Sequence, residues 1–276
     1  MQSMILGLLA ETFLHPGSGR DSGLVDLPVA REAATDYPVI MGSSFKGALL
    51  DRARSYNQTA AAKVDHELAF GKQDSAGALL VSDARLLLLP VRSSTSQYKW
   101  ITCPHILERL KRDCQRAGID IPQPFGDLTV EPYQFRGVNV ANNCLFLEER
   151  QFAHAGAVDV AVLPVLGRLI PHATTRSRLQ AQLIVLHDDD FVWFARYGLA
   201  VNARNVLDEN KTSKNLWYEE TIPPDSLFYA LLADRGAGTS LEVVNTLLEN
   251  RSYLQVGGNE TVGQGWFAVQ RYQAQQ

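Results

Sequence analysis

Four apolar runs of strand length punctuate the chain. Residues 4–12 (MILGLLAET) are mostly apolar, long enough for a strand buried on both faces and too short to force a helix. Residues 77–91 hold two apolar clusters, ALLV and LLLL, split by Ser82-Asp83-Ala84-Arg85. That split predicts a bent core strand, and Pro90 should block further ladder pairing. Residues 227–233 and 265–272 predict two more strands.

Three segments carry helical spacing instead. Over 44–56, Phe45, Leu49 and Arg52 or Ala53 recur on one face, with Gly42-Ser43-Ser44 as the expected cap. Over 105–118, Ile106 and Leu110 share a face, Pro104 sits where proline is tolerated, and Gly118 stops the helix. Over 240–250, Leu241, Val244, Leu247 and Leu248 point inward. Strand, helix, strand at the front and again at the back predict an α+β fold, a ferredoxin-like or RRM-like sheet under two helices. The core would span about 1–90 and 225–276 of one domain. A large inserted lobe, in part helical, would fill 91–224.

Inside that insertion the pattern is weaker. Pro122, Pro124, Gly126 and Pro132 predict an irregular connection, and 138–165 suggests short strands. Residues 183–186 and 191–194 flank His187-Asp188-Asp189-Asp190 and read as a hairpin, the aspartates forming a solvated turn. Residues 202–220 interleave Arg204, Lys211 and Lys214 with Trp217 and Tyr218. Charge beside aromatic rings is the chemistry that grips an RNA strand, and a hairpin with an aromatic anchor would look the same. Lys63, Asp65, His66 and Glu67 stand together, but neighbours on a helix diverge, so an exposed face is expected rather than a metal site.

The 276-residue chain is 46% hydrophobic, enough for a sizeable core in a single domain. No apolar run approaches bilayer length and no signal peptide opens the chain, so a cytoplasmic protein is expected. Three cysteines without CxxC spacing support neither a disulfide framework nor structural zinc. A formal charge of -4 argues against a uniformly basic surface, leaving room for one positive groove.

Candidate chemistry gathers on residues 14–54. The turn formers His15-Pro16-Gly17-Ser18-Gly19 open a loop that carries one carboxylate, Asp26, among Leu24, Val25 and Leu27, stiffened by Pro28. Downstream, the backbone N–H groups at Gly42, Ser43 and Ser44 together with Lys46 and Arg52 favour an anion such as phosphate. A second Gly-rich loop, 257–265, places Gly257, Gly258, Gly263 and Gly265 where backbone can approach a ligand closely. The spacing before Lys46 is too short for a Walker loop, and no Gly-x-Ser-x-Gly elbow or Cys-His pairing motif is present. Backbone phosphate binding beside one positioned carboxylate suits phosphodiester cleavage in RNA, where the 2'-hydroxyl is itself the nucleophile.

Six blocks carry a resemblance: LHPGSG, GLVDLP, YPVIMGSSFKGALL, WITCPHILERLKRD, NLWYEETIPPDSLF and GGNETVGQGW. Together they resemble the RAMP superfamily of CRISPR proteins, and most closely the repeated backbone subunit of the Cmr, or type III-B, effector complex. The resemblance covers most of the chain. It implies a subunit that binds CRISPR guide RNA, stacks with copies of itself and other Cmr subunits into a helical filament, and pushes a β-hairpin thumb through the guide:target duplex. It implies cleavage of complementary single-stranded target RNA at regular intervals, with Asp26 catalytic and a weakly held Mg2+ or Mn2+. His15 could assist as acid or base. The alternatives are a non-catalytic RNA scaffold and a guide-processing endoribonuclease of the same superfamily.

Overall fold

The computed structural model describes residues 1–20, 23–125, 128–138, 143–159, 161–236 and 238–274; Gly126 of the expected irregular connection lies outside them. In chain order the first elements are β1 (Ser3–Ala10), β2 (Val39–Ile40), α1 (Gly42–Thr59), α2 (His66–Phe70), β3 (Gly71–Lys72), β4 (Ser75–Ala76), β5 (Leu79–Val81), β6 (Ala84–Arg92), β7 (Tyr98–Thr102) and α3 (Pro104–Arg116). There follow β8 (Gln134–Gly137), β9 (Cys144–Leu147), β10 (Arg150–Gly156), α4 (Val162–Gly167), α5 (Ala173–Gln182), β11 (Leu183–Leu186) and α6 (Asp188–Tyr197). The chain closes with β12 (Ala200–Leu207), β13 (Ser213–Thr221), β14 (Leu227–Asp234), α7 (Thr239–Asn250), β15 (Tyr253–Gln255) and β16 (Trp266–Tyr272).

The fold is mixed α+β, built on one large sheet in the order β15-β16-β1-β14-β6-β7-β11-β8-β10-β9. Strand β1 is its axis: Met4, Ile5, Leu6 and Leu8 are fully buried, and it pairs antiparallel with β14 on one side and β16 on the other. Burying each such side chain contributes roughly 1.5–3 kcal/mol, so residues 4–9 alone anchor the domain. The units β1-α1-β6 and β14-α7-β16 interleave, the connectivity of a split β-α-β pair. Helices α1 and α7 pack on one another, and α1 buries Phe45, Leu49 and Ala53, the residues its spacing selected.

Three local expectations need correction. Strand β6 does not stop at Pro90: Pro90 pairs opposite Trp100 and the strand runs on to Arg92. The β14 ladder has already ended at Leu227 opposite Leu88, so the missing N–H has no strand there to serve. Residues 183–194 are not a hairpin but β11 followed by α6, whose first turn contains Asp188, Asp189 and Asp190. Carboxylates at a helix N-terminus are favoured by its dipole, and Phe191, Phe194 and Ala195 are the buried helical face. Finally, α1 is not capped by its own serines. Asp83 does that, accepting from the Gly42 N–H at 2.6 Å.

The bend expected near Ser82 is present: β5 and β6 both pair with β14, and Ser82 accepts the Leu231 N–H through its hydroxyl at 2.9 Å. Residues 91–224 contribute β7–β13 as well as α3–α6, so the main sheet continues through them. The expected hairpin is there too. Strands β12 and β13 form a separate two-stranded ribbon, exposed along most of its length. No helix is long and apolar enough to cross a membrane among the described residues.

Candidate functional site

The loop carrying His15 and Asp26 is fastened to β13 and to Ile222, the residue that follows it. Leu14 exchanges backbone hydrogen bonds with Ile222 at 3.0 and 2.9 Å as the loop leaves. On its return the Leu27 N–H donates to the Tyr218 carbonyl at 3.1 Å, and the Glu220 N–H donates to the Leu27 carbonyl at 3.0 Å. Between these anchors the loop pairs with itself, Ala30 N–H to the Pro16 carbonyl at 2.7 Å and Ser18 N–H to the Pro28 carbonyl at 3.2 Å. Turn formers therefore sit on a rigid frame.

Asp26 is the exposed outcome of that frame. One carboxylate oxygen accepts the Tyr218 N–H at 2.7 Å, and the other is free for chemistry among the described residues. Its apolar neighbours do not shield it: Leu24 is 99% exposed, so the apolar enclosure suggested by the local sequence is absent. Position comes from β13 instead.

Beneath Asp26 lies a polar layer the sequence did not single out. Glu219, 2% exposed, accepts from Arg204 Nε at 3.0 Å and from the Asn259 amide, and lies 3.7 Å from His15 Nδ1. Glu220 accepts from the Val29 N–H at 3.0 Å and from Arg31 at 2.5 Å. His15 is buried, its Nδ1 donating to the Glu220 carbonyl at 2.8 Å, which assigns the proton to that nitrogen. The available signal was the pair Glu219-Glu220 on a predicted strand. Alternation sends adjacent side chains to opposite faces, so both cannot be solvated when one face is covered.

Two concavities adjoin the frame. The larger, about 630 Å3, runs between α1 and the 257–265 loop; Ser44, Arg52, Arg251, Gly257, Gly258 and Trp266 help to line it. Arg52 shares it with a second guanidinium: burial, then the charge of Arg251, holds Arg52 below its ordinary value, and its Nε is buried without a partner among the described residues. The smaller, about 380 Å3, is lined by Asp26, Leu27, Arg20, Trp217, Glu219 and Asn259, together with Val206, Asn215 and Leu216 of the hairpin. The 257–265 loop contributes to both, with Gly257 and Gly258 lining the first and Asn259 the second.

The expected residues thus divide into two groups. Ser44, Arg52, Gly257 and Gly258 converge on the groove, while Asp26 and Trp217 meet at the smaller cavity, with Arg204 behind Glu219. Gly42 and Ser43 open α1, but the Gly42 N–H is engaged by Asp83, and Lys46, half-buried, does not line the groove. Lys214 is exposed near the hairpin tip. Gly263 and Gly265 shape their loop, with φ of 82° and 87°, rather than face either concavity. Gly257 is constrained by approach as well as by φ: a Cβ there would lie 3.0 Å from the His15 carbonyl oxygen. His15 itself lines neither.

Comparison with known proteins places this frame in a family. Residues 8–268 match the RAMP superfamily. The CRISPR system Cmr endoribonuclease Cmr4 of Pyrococcus furiosus is 33% identical over 288 aligned positions, 98% of this chain and 95% of that protein. The crystal structure of oligomeric Cmr4 from the same organism superimposes with a TM-score of 0.77 at 28% identity, covering 100% of both chains. A chain of the type III-B Cmr-beta complex bound to cognate target RNA shares the fold, with a TM-score of 0.77 at 19% identity, over 98% of this chain and 97% of that one. The chain belongs to the RAMP superfamily and, within it, to the Cmr4 (Cas7) family.

Proposed function

We propose that this protein is a backbone subunit of a type III-B Cmr effector complex that holds guide RNA along the α1 groove and cuts complementary target RNA at Asp26. One observation carries the assignment: the Asp26 carboxylate, oriented by the Tyr218 N–H, opens on a cavity that shares the 257–265 loop with a groove lined by two arginines. Phosphates of a guide fit the groove, where an anion between Arg52 and Arg251 would relieve their repulsion. The interleaved β-α-β units supply a ferredoxin-like, RRM-like core, and the β12-β13 hairpin serves as the thumb.

Cleavage by this site is an in-line attack. The free Asp26 oxygen takes the proton of the target 2'-hydroxyl, a 2'-O–P bond forms, the P–O5' bond breaks, and the 5'-oxygen takes a proton from water. The products are a 2',3'-cyclic phosphate and a 5'-hydroxyl. Tight alignment of the 2'-oxygen, the phosphorus and the leaving 5'-oxygen supplies most of the effect. His15, buried with Nδ1 committed to Glu220, serves the frame that holds Asp26 rather than the proton transfer.

The donor set does not form a resident metal site. No group of three or more His, Cys, Asp or Glu able to hold an ion occurs among the described residues, and Glu219 already accepts from Arg204 and Asn259. Mg2+ or Mn2+ would find one free Asp26 oxygen and otherwise water and RNA phosphate, so no step is routed through a metal. Titrating the assembled complex with EDTA tests whether cleavage depends on a divalent cation.

The test of the function is Asp26→Asn in the complex assembled with guide and complementary target RNA. The isostere keeps the Tyr218 contact on oxygen and loses the base. Cleavage should fall by at least about 100-fold while guide and target remain bound. Parental cutting by the variant overturns the active-site assignment; products made from a guide precursor, with target left intact, favour a processing enzyme instead.

A further inference from the structure

A carboxylate is the wrong charge to meet a phosphodiester alone, because Asp26 and the scissile phosphate repel each other. The cavity beside Asp26 is lined by one cation, Arg20, from the same turn-rich loop. Nearby Arg204 is spent on Glu219, which it reaches through Nε at 3.0 Å. Arg20 is exposed, and no ion pair or hydrogen bond engages its guanidinium among the described residues. A second donor stands in the same wall. The indole Nε1 of Trp217 is buried without an acceptor, a condition buried N–H groups seldom tolerate, and Trp217 immediately precedes the residue whose N–H orients Asp26. Carboxylate, free guanidinium and orphaned N–H line one cavity of about 380 Å3.

Building on the cleavage function above, we propose that Arg20 is a catalytic residue that binds the non-bridging oxygens of the scissile phosphate, with the Trp217 indole N–H as a second donor to the target strand. A guanidinium presents a planar fork that matches two phosphate oxygens at once. As the 2'-oxygen adds, the phosphorus centre gains a second negative charge, so Arg20 binds the transition state more strongly than the bound target. The proton of the 2'-hydroxyl goes to Asp26 and the leaving 5'-oxygen takes one from water, so Arg20 contributes charge and geometry only. Trp217 then acts through its N–H, not as a stacking platform, which distinguishes it from the exposed Tyr218 beside it.

The experiment is single-turnover cleavage at saturating complementary target RNA by the assembled complex carrying Arg20→Gln, Arg20→Lys, Trp217→Phe or Asp26→Asn. Target affinity is read separately with a target bearing 2'-deoxyribose at the cleavage positions, which binds but lacks the nucleophile. Arg20→Gln should cut about 100-fold more slowly, with affinity for the deoxy target changed less than about threefold. Arg20→Lys should recover part of the rate, since charge returns without the fork. Trp217→Phe keeps the ring and should lose about tenfold in rate. If Asp26→Asn is inactive and Arg20→Gln cuts at the parental saturating rate, the Arg20 assignment alone is overturned. A rate loss in Arg20→Gln that vanishes at saturating target also overturns it, leaving a simple affinity role. If Asp26→Asn itself cuts normally, the cleavage site is misplaced and Arg20 falls with it.

Discussion

The Asp26 carboxylate accepts a 2.7 Å hydrogen bond from the backbone N–H of Tyr218, a residue 192 positions further along the chain. A loop of turn formers could not hold a carboxylate still by itself, because such sequences permit many conformations. Strand β13 removes that freedom by bonding the loop at Leu27, and Ile222 just after it does so at Leu14. The strand that presents the candidate thumb is therefore also the strand that aims the candidate base.

Glu220 ties the two together and gives a first prediction. Its carboxylate takes the Val29 N–H at 3.0 Å and the Arg31 guanidinium at 2.5 Å, while its backbone carbonyl takes His15 Nδ1 at 2.8 Å. Glu220→Ala leaves the Val29 N–H and one Arg31 nitrogen without an acceptor, the other Arg31 nitrogen keeping the Asp36 and Ala195 carbonyls, and should cost about 1.5–3 kcal/mol of stability. Target cleavage should fall with Asp26 untouched, and Arg31→Ala should reproduce the defect. Thermal unfolding and cleavage rate measured together check this; an unfolding midpoint unchanged from the parent would show that the tie is idle.

The core was legible in the sequence where burial follows a short period. Phe45, Leu49 and Ala53 on α1, and Ile106 and Leu110 on α3, are buried as their spacing requires. Helix α6 was hidden because three aspartates suit a solvated turn as well as a helix N-terminus, and only the packing of Phe191 and Phe194 decides between them. The parallel pairing of β11 with β7 has no local signal, since Leu183 and Trp100 meet only after the lobe folds. At the site, Asp26 stood out as the only acid in a short apolar run, but Glu219, Glu220 and Asn259 matter through contacts with distant segments. Lys46 shows the reverse failure: a cation at the right sequence spacing that does not line the groove.

Guide binding should rest on the groove more than on the start of α1. Arg52 and Arg251 both line it, whereas the first N–H of the helix is engaged by Asp83. Arg52→Gln should weaken binding of every RNA sequence and lower the slope of log affinity against log salt by about 0.7, the value for one phosphate contact on a single strand. Lys46→Glu should also weaken it, through long-range charge that salt screens. Filter binding across a salt series checks both. An Arg52→Gln slope equal to the parent's would remove Arg52 from the phosphate contacts.

Repetition along the guide is a third expectation. The related Pyrococcus furiosus Cmr4 crystallised as an oligomer, and head-to-tail contacts that do not close produce open helical assemblies. With guide RNA present, light scattering should show mass rising with RNA length. A species of one size at every length would count against a repeated backbone role.

Stability should also carry a pH signature at the exit of the loop that carries Asp26. Glu32 accepts both Arg109 guanidinium nitrogens at 2.7 Å and the Thr35 hydroxyl at 2.6 Å, fastening the loop's exit to α3. Burial pushes this carboxyl up, but the hydrogen bonds from Arg109 and Thr35 and the charges of Arg109 and Arg85 outweigh it, and the net shift is downward. A carboxyl held below its unfolded value stabilises the fold at pH above the ordinary carboxylate range, and that contribution disappears as pH falls through the folded value. Glu32→Gln should therefore cost about 1.5–3 kcal/mol near neutral pH, and the gap between parent and variant should narrow as pH falls below the ordinary carboxylate range and the Glu32 carboxyl takes up its proton. Urea unfolding of the two proteins across that range checks it. A gap that stays constant with pH would mean that Glu32 acts through shape and packing, and that its ion pair with Arg109 adds nothing to the hold on the loop.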